Sequence, residues 1–317
     1  MVNEYTFGVD IGGTAVKLGL FDDKSNLLDH WQIPTRLEDQ GSVILPDVHT
    51  AIEGMLDINH LEWANVKGIG LAVPGPVTGD GFVPAAVNLG WKNLNVKKEM
   101  QRLTCISNIC VENDAKAAAL GEYWKGGWGD FRSAVMITIG TAIGGAVLLD
   151  GKVLRGAFGA AGELSHIQVN PAETVPCACG KCGHLQQYVS TDAILNSVKQ
   201  RLSALDQPSS LRGIAGITMK DVFDAAKAGD GIALESVEEM ARLLARAMAM
   251  VSCVVDPELF IIGGGVSNAG EILLDLLRTE FKKSALTMCE NARIEAAKTG
   301  SDAGIYGSAA QLIYGIE

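Results

Sequence analysis

Residues 5–21 read YTFGVDIGGTAVKLGLF, and residues 133–149 read SAVMITIGTAIGGAVLL. Each is an apolar run, a turn built on glycine and threonine, and a second apolar run. The second run ends at an aspartate-bearing turn, DDKSN (22–26) in one case and DG (150–151) in the other. Apolar runs of this length bounded by Gly, Thr, Asp and Asn predict strand, turn, strand. Gly13-Thr14 and Gly140-Thr141 stand 127 residues apart, which predicts two lobes built on one plan.

Further strands and helices extend from both repeats. VKGIGLAV (66–73) and ISNICVEN (106–113) predict strands, with helices over 48–56 and about 96–103. DAKAAALGEYWKGG then opens a helix, with Asp114 at its N-cap or in its first turn. After the second repeat a long helix is predicted over 232–255, where Val237, Met240, Leu244, Ala247 and Val251 recur at steps of 3, 4, 3 and 4. That spacing is a buried stripe. The strand LFIIGGG (259–265), a helix over 269–283, the strand RIEAA (293–297) and a closing helix within 302–315 complete the pattern, and QPSSLRG (207–213) reads as a surface loop. Strands alternating with helices define the α/β class.

The 317 residues are 48% hydrophobic and 20% charged, a composition suited to a sizeable core. Lys and Arg number 26 against 37 Asp and Glu, a net charge of −11. Such a surface repels nucleic-acid phosphates, so no nucleic-acid partner is expected. A phosphate ligand must be held locally, by backbone N–H groups, a lysine or a metal. No apolar run reaches the roughly 18–20 residues of a membrane span. The N-terminus lacks the basic and apolar regions of a signal peptide, so the expectation is a cytoplasmic protein that does not bind membranes.

Three glycine clusters follow apolar strands: Asp10-Ile11-Gly12-Gly13-Thr14, Gly140-Thr141-Ala142-Ile143-Gly144-Gly145 and Gly263-Gly264-Gly265. Glycine lets the backbone approach a ligand and aim its N–H groups at phosphate oxygens. Any one of them could be a tight hairpin and no more; three at strand ends fit a phosphate clamp. Neither GxxxxGK[ST] nor GxGxxG is present. Asp10 closes an apolar strand, where a carboxylate is costly unless a cation such as ATP-borne Mg²⁺ neutralises it.

Of seven cysteines, Cys105, Cys110, Cys253 and Cys289 are scattered and read as small core residues. Residues 177–186 read CACGKCGHLQ. Cys179-Gly-Lys-Cys182 has the spacing of a redox pair without its preceding strand, and the same cluster could hold zinc. Asp114, likewise, could be a helix cap or a catalytic carboxylate facing a ligand.

DIGGTAVK, VPGPV, VNLGWKN, ENDAKAAALGE, IGTAIGG, GAAGELSHIQV, CACGKCGHLQQ and IIGGGVSNAGE occur in the order found in the ROK family (repressor, open reading frame, kinase). The chain resembles ROK sugar kinases from Asp10 to about Ala310, bacterial glucokinases of the Firmicute type above all. The resemblance implies an actin-like, hexokinase-like (ribonuclease H-like) duplicated fold with two lobes and an interlobe cleft. It implies a small lobe of residues 1–113 plus about 303–317, and a large lobe of 114–302 that carries the zinc loop. It also implies ATP-dependent phosphorylation of a hexose, glucose first, and a homodimer.

On this resemblance Asp114 is the base, and Gly75, Asn88, Asn113, Asp114, Glu163, His166 and Gln186 recognise the sugar. Asp10, Gly12, Gly13, Thr14, Lys17, Gly140, Thr141, Gly264 and Gly265 hold ATP and Mg²⁺. The family's CxCGxxGCxE pattern implies a structural Zn²⁺ with His166, Cys177 and Cys179. Here His184 replaces the last cysteine, leaving His184 or Cys182 as the fourth ligand. Gln186 replaces a sugar-binding Glu, which could shift the preferred hexose towards N-acetylmannosamine, fructose or another sugar. Ala142 and Ala146 stand where glucokinases usually carry glycine, and either methyl could crowd a phosphate. The family also contains sugar-sensing repressors with an N-terminal helix-turn-helix; with DIGGT starting at residue 10, no such domain is expected. A binding-only protein is the remaining alternative.

Overall fold

The structure is a computed structural model that describes residues 4–315. The chain begins with β1 (Tyr5–Ile11), β2 (Ala15–Phe21) and β3 (Leu27–Pro34) and continues through β4 (Val66–Val73). A short hairpin of β5 (Phe82–Ala86) and β6 (Trp91–Asn95) follows, then β7 (Ile109–Asn113). β1 is antiparallel to β2 and β2 to β3, whereas β1, β4 and β7 run parallel, giving the order β3-β2-β1-β4-β7. The second half supplies β8 (Ser133–Ile139), β9 (Ile143–Leu149), β10 (Lys152–Val153), β11 (Leu259–Gly263) and β12 (Arg293–Ala296). Their order is β10-β9-β8-β11-β12, with β8, β11 and β12 parallel. Counted by appearance, both five-stranded sheets run third, second, first, fourth, fifth. The repeat that the Gly/Thr turns predict is therefore a repeat of topology.

β1 and β4 are almost entirely buried, as expected of parallel strands covered on both faces. Phe7, Val9, Leu18, Ile69, Leu71 and Ile109 lie in the core of the first sheet with Val48, Ile52 and Met55 of the helix Ile44–Ile58. That helix starts before residue 48 because Pro46 lies in its first turn, where a missing N–H costs nothing. The long helix Gly231–Val255 buries the whole predicted stripe. Helices Thr191–Ala204 and Met219–Lys227 and the β5–β6 hairpin were not predicted. The strand expected from 106 starts at Ile109. Cys105 and Cys253 are exposed rather than in the core: Cys105 is a left-handed helix C-cap, and Cys253 lies on the outer face of the long helix. No helix among the described residues is long and apolar enough to cross a membrane.

Compactness divides the chain into a first unit of Met1–Asp130, Val147–Ala161 and Lys298–Glu317, and a second of Phe131–Ala146 and Gly162–Ala297. The helix Asp114–Lys125, expected in the larger lobe, thus falls in the first unit. The reason is its packing on the closing helix Ala303–Ile313. A Cβ on Gly121 would lie 1.9 Å from the Ala303 carbonyl oxygen, and one on Gly307 only 1.6 Å from that of Ala117. Two glycines let the two backbones touch, which fixes the helix that carries the candidate base.

Candidate active site

In the first unit, three adjacent parallel strands end together. The register sets Asp10 beside Ala72, Ala72 beside Glu112, and Val73 beside Asn113. Asp10, the Pro74-Gly75 loop and Asn113-Asp114 therefore share the carboxyl edge of the sheet, where α/β proteins bind ligands. Asn113 is the N-cap: its Oδ1 accepts from the Lys116 amide at 3.1 Å. Its Nδ2 donates to the Gly75 carbonyl at 3.0 Å and to Asp114 Oδ1 at 2.9 Å. Capping thus falls to Asn113, and Asp114 is the first helical residue, its Oδ1 also accepting from the Ala115 amide at 2.8 Å. Two donors set the direction of its carboxylate. Gly75 sits at φ +92°, where a Cβ would meet the Ala85 carbonyl oxygen at 2.5 Å, so the loop accepts no side chain there.

Burial raises the pKa of Asp10 from 3.8 to about 6; the charge of Asp114 adds to the rise, and Lys17 opposes it. The Asp10 carboxyl lies against the first turn of the closing helix, 2.4 Å from where a Cβ on Gly304 would stand. Lys17 Nζ donates to the Ser301 carbonyl at 2.6 Å and to Asp302 Oδ1 at 3.3 Å. Its first engagement is with this neighbouring loop. At the β1–β2 turn, the Gly12 amide donates to the Ala15 carbonyl at 3.0 Å, so it is already committed as the hairpin closes. Gly13 and Thr14 are the exposed residues of this turn. Thr35, which no motif marks, fastens this turn by donating its hydroxyl to the Gly12 carbonyl at 2.6 Å. The Asn88 Cβ lies 3.7 Å from where a Cβ on Gly13 would stand.

The second unit repeats the arrangement in backbone alone. The Gly140 amide donates to the Ala142 carbonyl at 3.0 Å, leaving Thr141 exposed at the tip. β11 lies beside β8 with Gly263 opposite Thr138. Gly264, at φ +80°, follows; a Cβ there would fall 2.4 Å from the Ile139 carbonyl oxygen. Gly140-Thr141 and Gly264-Gly265 are thus neighbours at one sheet edge. Ala146 is fully buried in β9, its methyl inside the fold rather than at the turn. Ala142 is exposed at the turn.

Glu163 precedes the short 3₁₀ turn Leu164–His166 and His166 ends it, and both are exposed. The ligand atoms of His166, Cys177, Cys179 and His184 all lie within 4.8 Å of one another. Within the group the two Nδ1 atoms are 3.2 Å apart, and Cys179 Sγ is 3.3 Å from His184 Nδ1. Cys182 turns away and donates its thiol to the Thr174 carbonyl at 3.5 Å. Gln187, rather than Gln186, supports the loop: its Oε1 accepts from the His184 amide at 3.0 Å, and its Nε2 donates to the Val175 carbonyl at 2.8 Å. Gln186 is half-buried at the head of the turn Gln186–Val189.

Paired sheets of one topology, glycine turns at both carboxyl edges and an Asn-Asp pair opening a helix define the actin-like, hexokinase-like class of α/β proteins. The sequence profile of the ROK family matches residues 6–314, and the chain belongs to that family. A glucokinase of Halalkalibacterium halodurans is 37% identical over 316 residues, covering 97% of this chain and 94% of that protein. A solved ROK family glucokinase from Streptomyces griseus, in complex with glucose and AMPPNP, superposes with a TM-score of 0.77 at 33% identity, over 96% of this chain and 98% of that one. A solved ROK family transcriptional regulator, a homolog of the E. coli MLC protein, superposes at 0.88 and 28% identity, over 98% of this chain and 78% of that one.

Proposed function

We propose that this protein is an ATP-dependent hexose kinase that converts glucose to glucose 6-phosphate, with Asp114 as the general base. The observation that carries the reading is the carboxyl edge of β1, β4 and β7, where Asn113 caps the helix and leaves Asp114 oriented but not capping. The Asp114 carboxylate takes the proton of the sugar 6-hydroxyl as its oxygen bonds to the γ-phosphorus. The bond from that phosphorus to the bridging oxygen breaks, and ADP leaves with the electron pair.

Gly75, Asn88 and Asn113 are assigned to the sugar at the first unit's strand ends, and the family resemblance assigns Glu163, His166 and Gln186 to sugar recognition as well. The amides and hydroxyls at Gly13-Thr14, Gly140-Thr141 and Gly264-Gly265 are assigned to the nucleotide, with Lys17 near its phosphates. Asp10 is the residue that would hold Mg²⁺: a carboxyl whose pKa is about 6 gains from a cation. When bound with ATP, that ion neutralises charge on the transferring phosphoryl group.

His166, Cys177, Cys179 and His184 are assigned to a structural Zn²⁺. Tetrahedral ligands about 2.0–2.3 Å from zinc lie at most about 3.8 Å apart, so a group already within 4.8 Å needs only a small contraction. Four protein ligands leave no site for an activated water, so the role is architectural. Metal analysis should find one zinc per chain, kept by Cys182→Ser and lost by Cys177→Ser.

A cytoplasmic homodimer is part of this reading. The second reading is a kinase for another hexose, and the observation that favours it is Gln186, whose amide cannot offer a sugar hydroxyl the charged acceptor of a Glu. ADP formation measured over a sugar panel decides between them. Turnover with no sugar, in a protein that still binds one, would leave a non-catalytic regulator instead. Asp114→Asn with undiminished kcat would remove the base assignment.

A further inference from the structure

The segment 155–161 of the first unit is fastened to the residues on either side of the candidate base. Glu112, 1% exposed at the end of β7, accepts from Arg155 Nε at 2.7 Å. The same carboxylate accepts from the Asn113 amide at 3.0 Å. Lys116, two residues past Asp114 and also 1% exposed, donates its ammonium to the Gly159 carbonyl at 2.6 Å. The segment closes on itself through the Ala161 amide and the Arg155 carbonyl at 3.3 Å. Gly159 packs against Val77, two residues beyond Gly75: a Cβ there would stand 2.9 Å from the Val77 carbonyl oxygen. Buried charged groups are costly to desolvate, so two of them holding one short segment mark its position as strongly constrained. Between the two fastenings stands Phe158, 88% exposed.

We propose that segment 155–161 is one wall of the acceptor pocket, and that Phe158 is a specificity-determining residue whose ring packs on the C–H face of the hexose. This rests on the kinase reading above. A hexose presents hydroxyls at its rim and C–H groups on its faces; the polar groups of Gly75, Asn113 and Asp114 serve the rim and offer no surface to a face. An aromatic ring supplies that surface at little entropic cost. Its exposure is then that of a contact waiting for its ligand, and the charged fastenings tie the segment that carries the ring to Glu112 and Lys116, on either side of the base. Arg155 acts through the segment and is a positioning residue.

Steady-state kinetics and sugar-induced thermal shifts of the full chain, with and without Phe158→Ala, test this. Expected is a rise of roughly five- to thirtyfold in the KM for the sugar, with the KM for ATP and the melting temperature of the sugar-free protein unchanged, because the ring touches little else. Phe158→Leu should fall between the two, and Arg155→Lys should raise the sugar KM while leaving the ATP KM alone. Ratios of kcat/KM across the sugar panel should shift in Phe158→Ala. An active parent with an unchanged sugar KM and panel in Phe158→Ala overturns this inference and leaves the kinase reading standing. A parent that neither phosphorylates nor binds any hexose overturns both.

Discussion

The two five-stranded sheets share one topology and differ in what they place at their carboxyl edges. The first presents side-chain chemistry: Asp10, Asn113 and Asp114, with the buried Glu112 paired to a half-buried Arg155 and a buried lysine behind them. The second presents backbone and a hydroxyl, at Gly140-Thr141 and Gly264-Gly265. Even the turns correspond, since Gly12 and Gly140 each spend their amide on closing a hairpin and leave the next residues outward. On the proposed function, proton transfer belongs to the first copy alone, whereas both copies offer a glycine-threonine turn to the phosphates. The lesson is that topology sets where a ligand can sit, and the few residues at the strand ends set what happens there.

That division predicts different kinetic signatures for the two sheets. The largest effect belongs to the first: Asp114→Asn should lower kcat by about 10³-fold with the sugar KM little changed, measured by ADP release. Next comes Gly264→Ala. Its φ of +80° and the Ile139 carbonyl oxygen 2.4 Å from the new Cβ should remove roughly 2–4 kcal/mol of stability. Urea denaturation measures that loss, which should come with a higher ATP KM.

Asp10→Asn should act in the opposite sense on stability. Because the folded pKa is raised from 3.8 to about 6, the folded state keeps its proton through that window while the unfolded state loses it. Stability therefore falls as pH rises from about 4 to 6, and above that the charged group costs up to about 3 kcal/mol. The variant should be more stable than the parent at pH 8 by up to that amount, equal to it near pH 4, and inactive. A parent and variant with parallel pH–stability curves would contradict the origin given for the shift. Smallest is Thr141→Val, expected to raise the ATP KM about fivefold and leave the sugar KM unchanged; an effect on the sugar instead would erase the contrast between the sheets.

Local features were legible and crossings were not. The Gly/Thr turns, the stripe of the long helix and Asn113-Asp114 declare themselves within a few residues, because strand alternation, helical period and capping are local rules. The cluster of Cys177, Cys179, Cys182 and His184 was readable because thiols and imidazoles within one short stretch have few other uses, whereas His166 came only from the family resemblance and the choice of His184 over Cys182 only from the structure. No local pattern links Glu112 to Arg155, 43 residues on, or Thr35 to Gly12. The β5–β6 hairpin hid inside a Gly- and Pro-rich stretch that reads as loop. Cys105 reads as a core residue from its type, and residue type says nothing about a left-handed helix end.

The contact between Gly121 and Gly307 has a consequence for how the protein is made. The helix that carries the candidate base is seated on residues 303–313, which the ribosome adds after all of residues 131–297. Residues 131–297 leave the exit tunnel before Ala303–Ile313 does, so the second unit has all its own parts while the first still lacks one. During synthesis, the second five-stranded sheet can take shape before the sheet that ends in Asn113-Asp114 is complete.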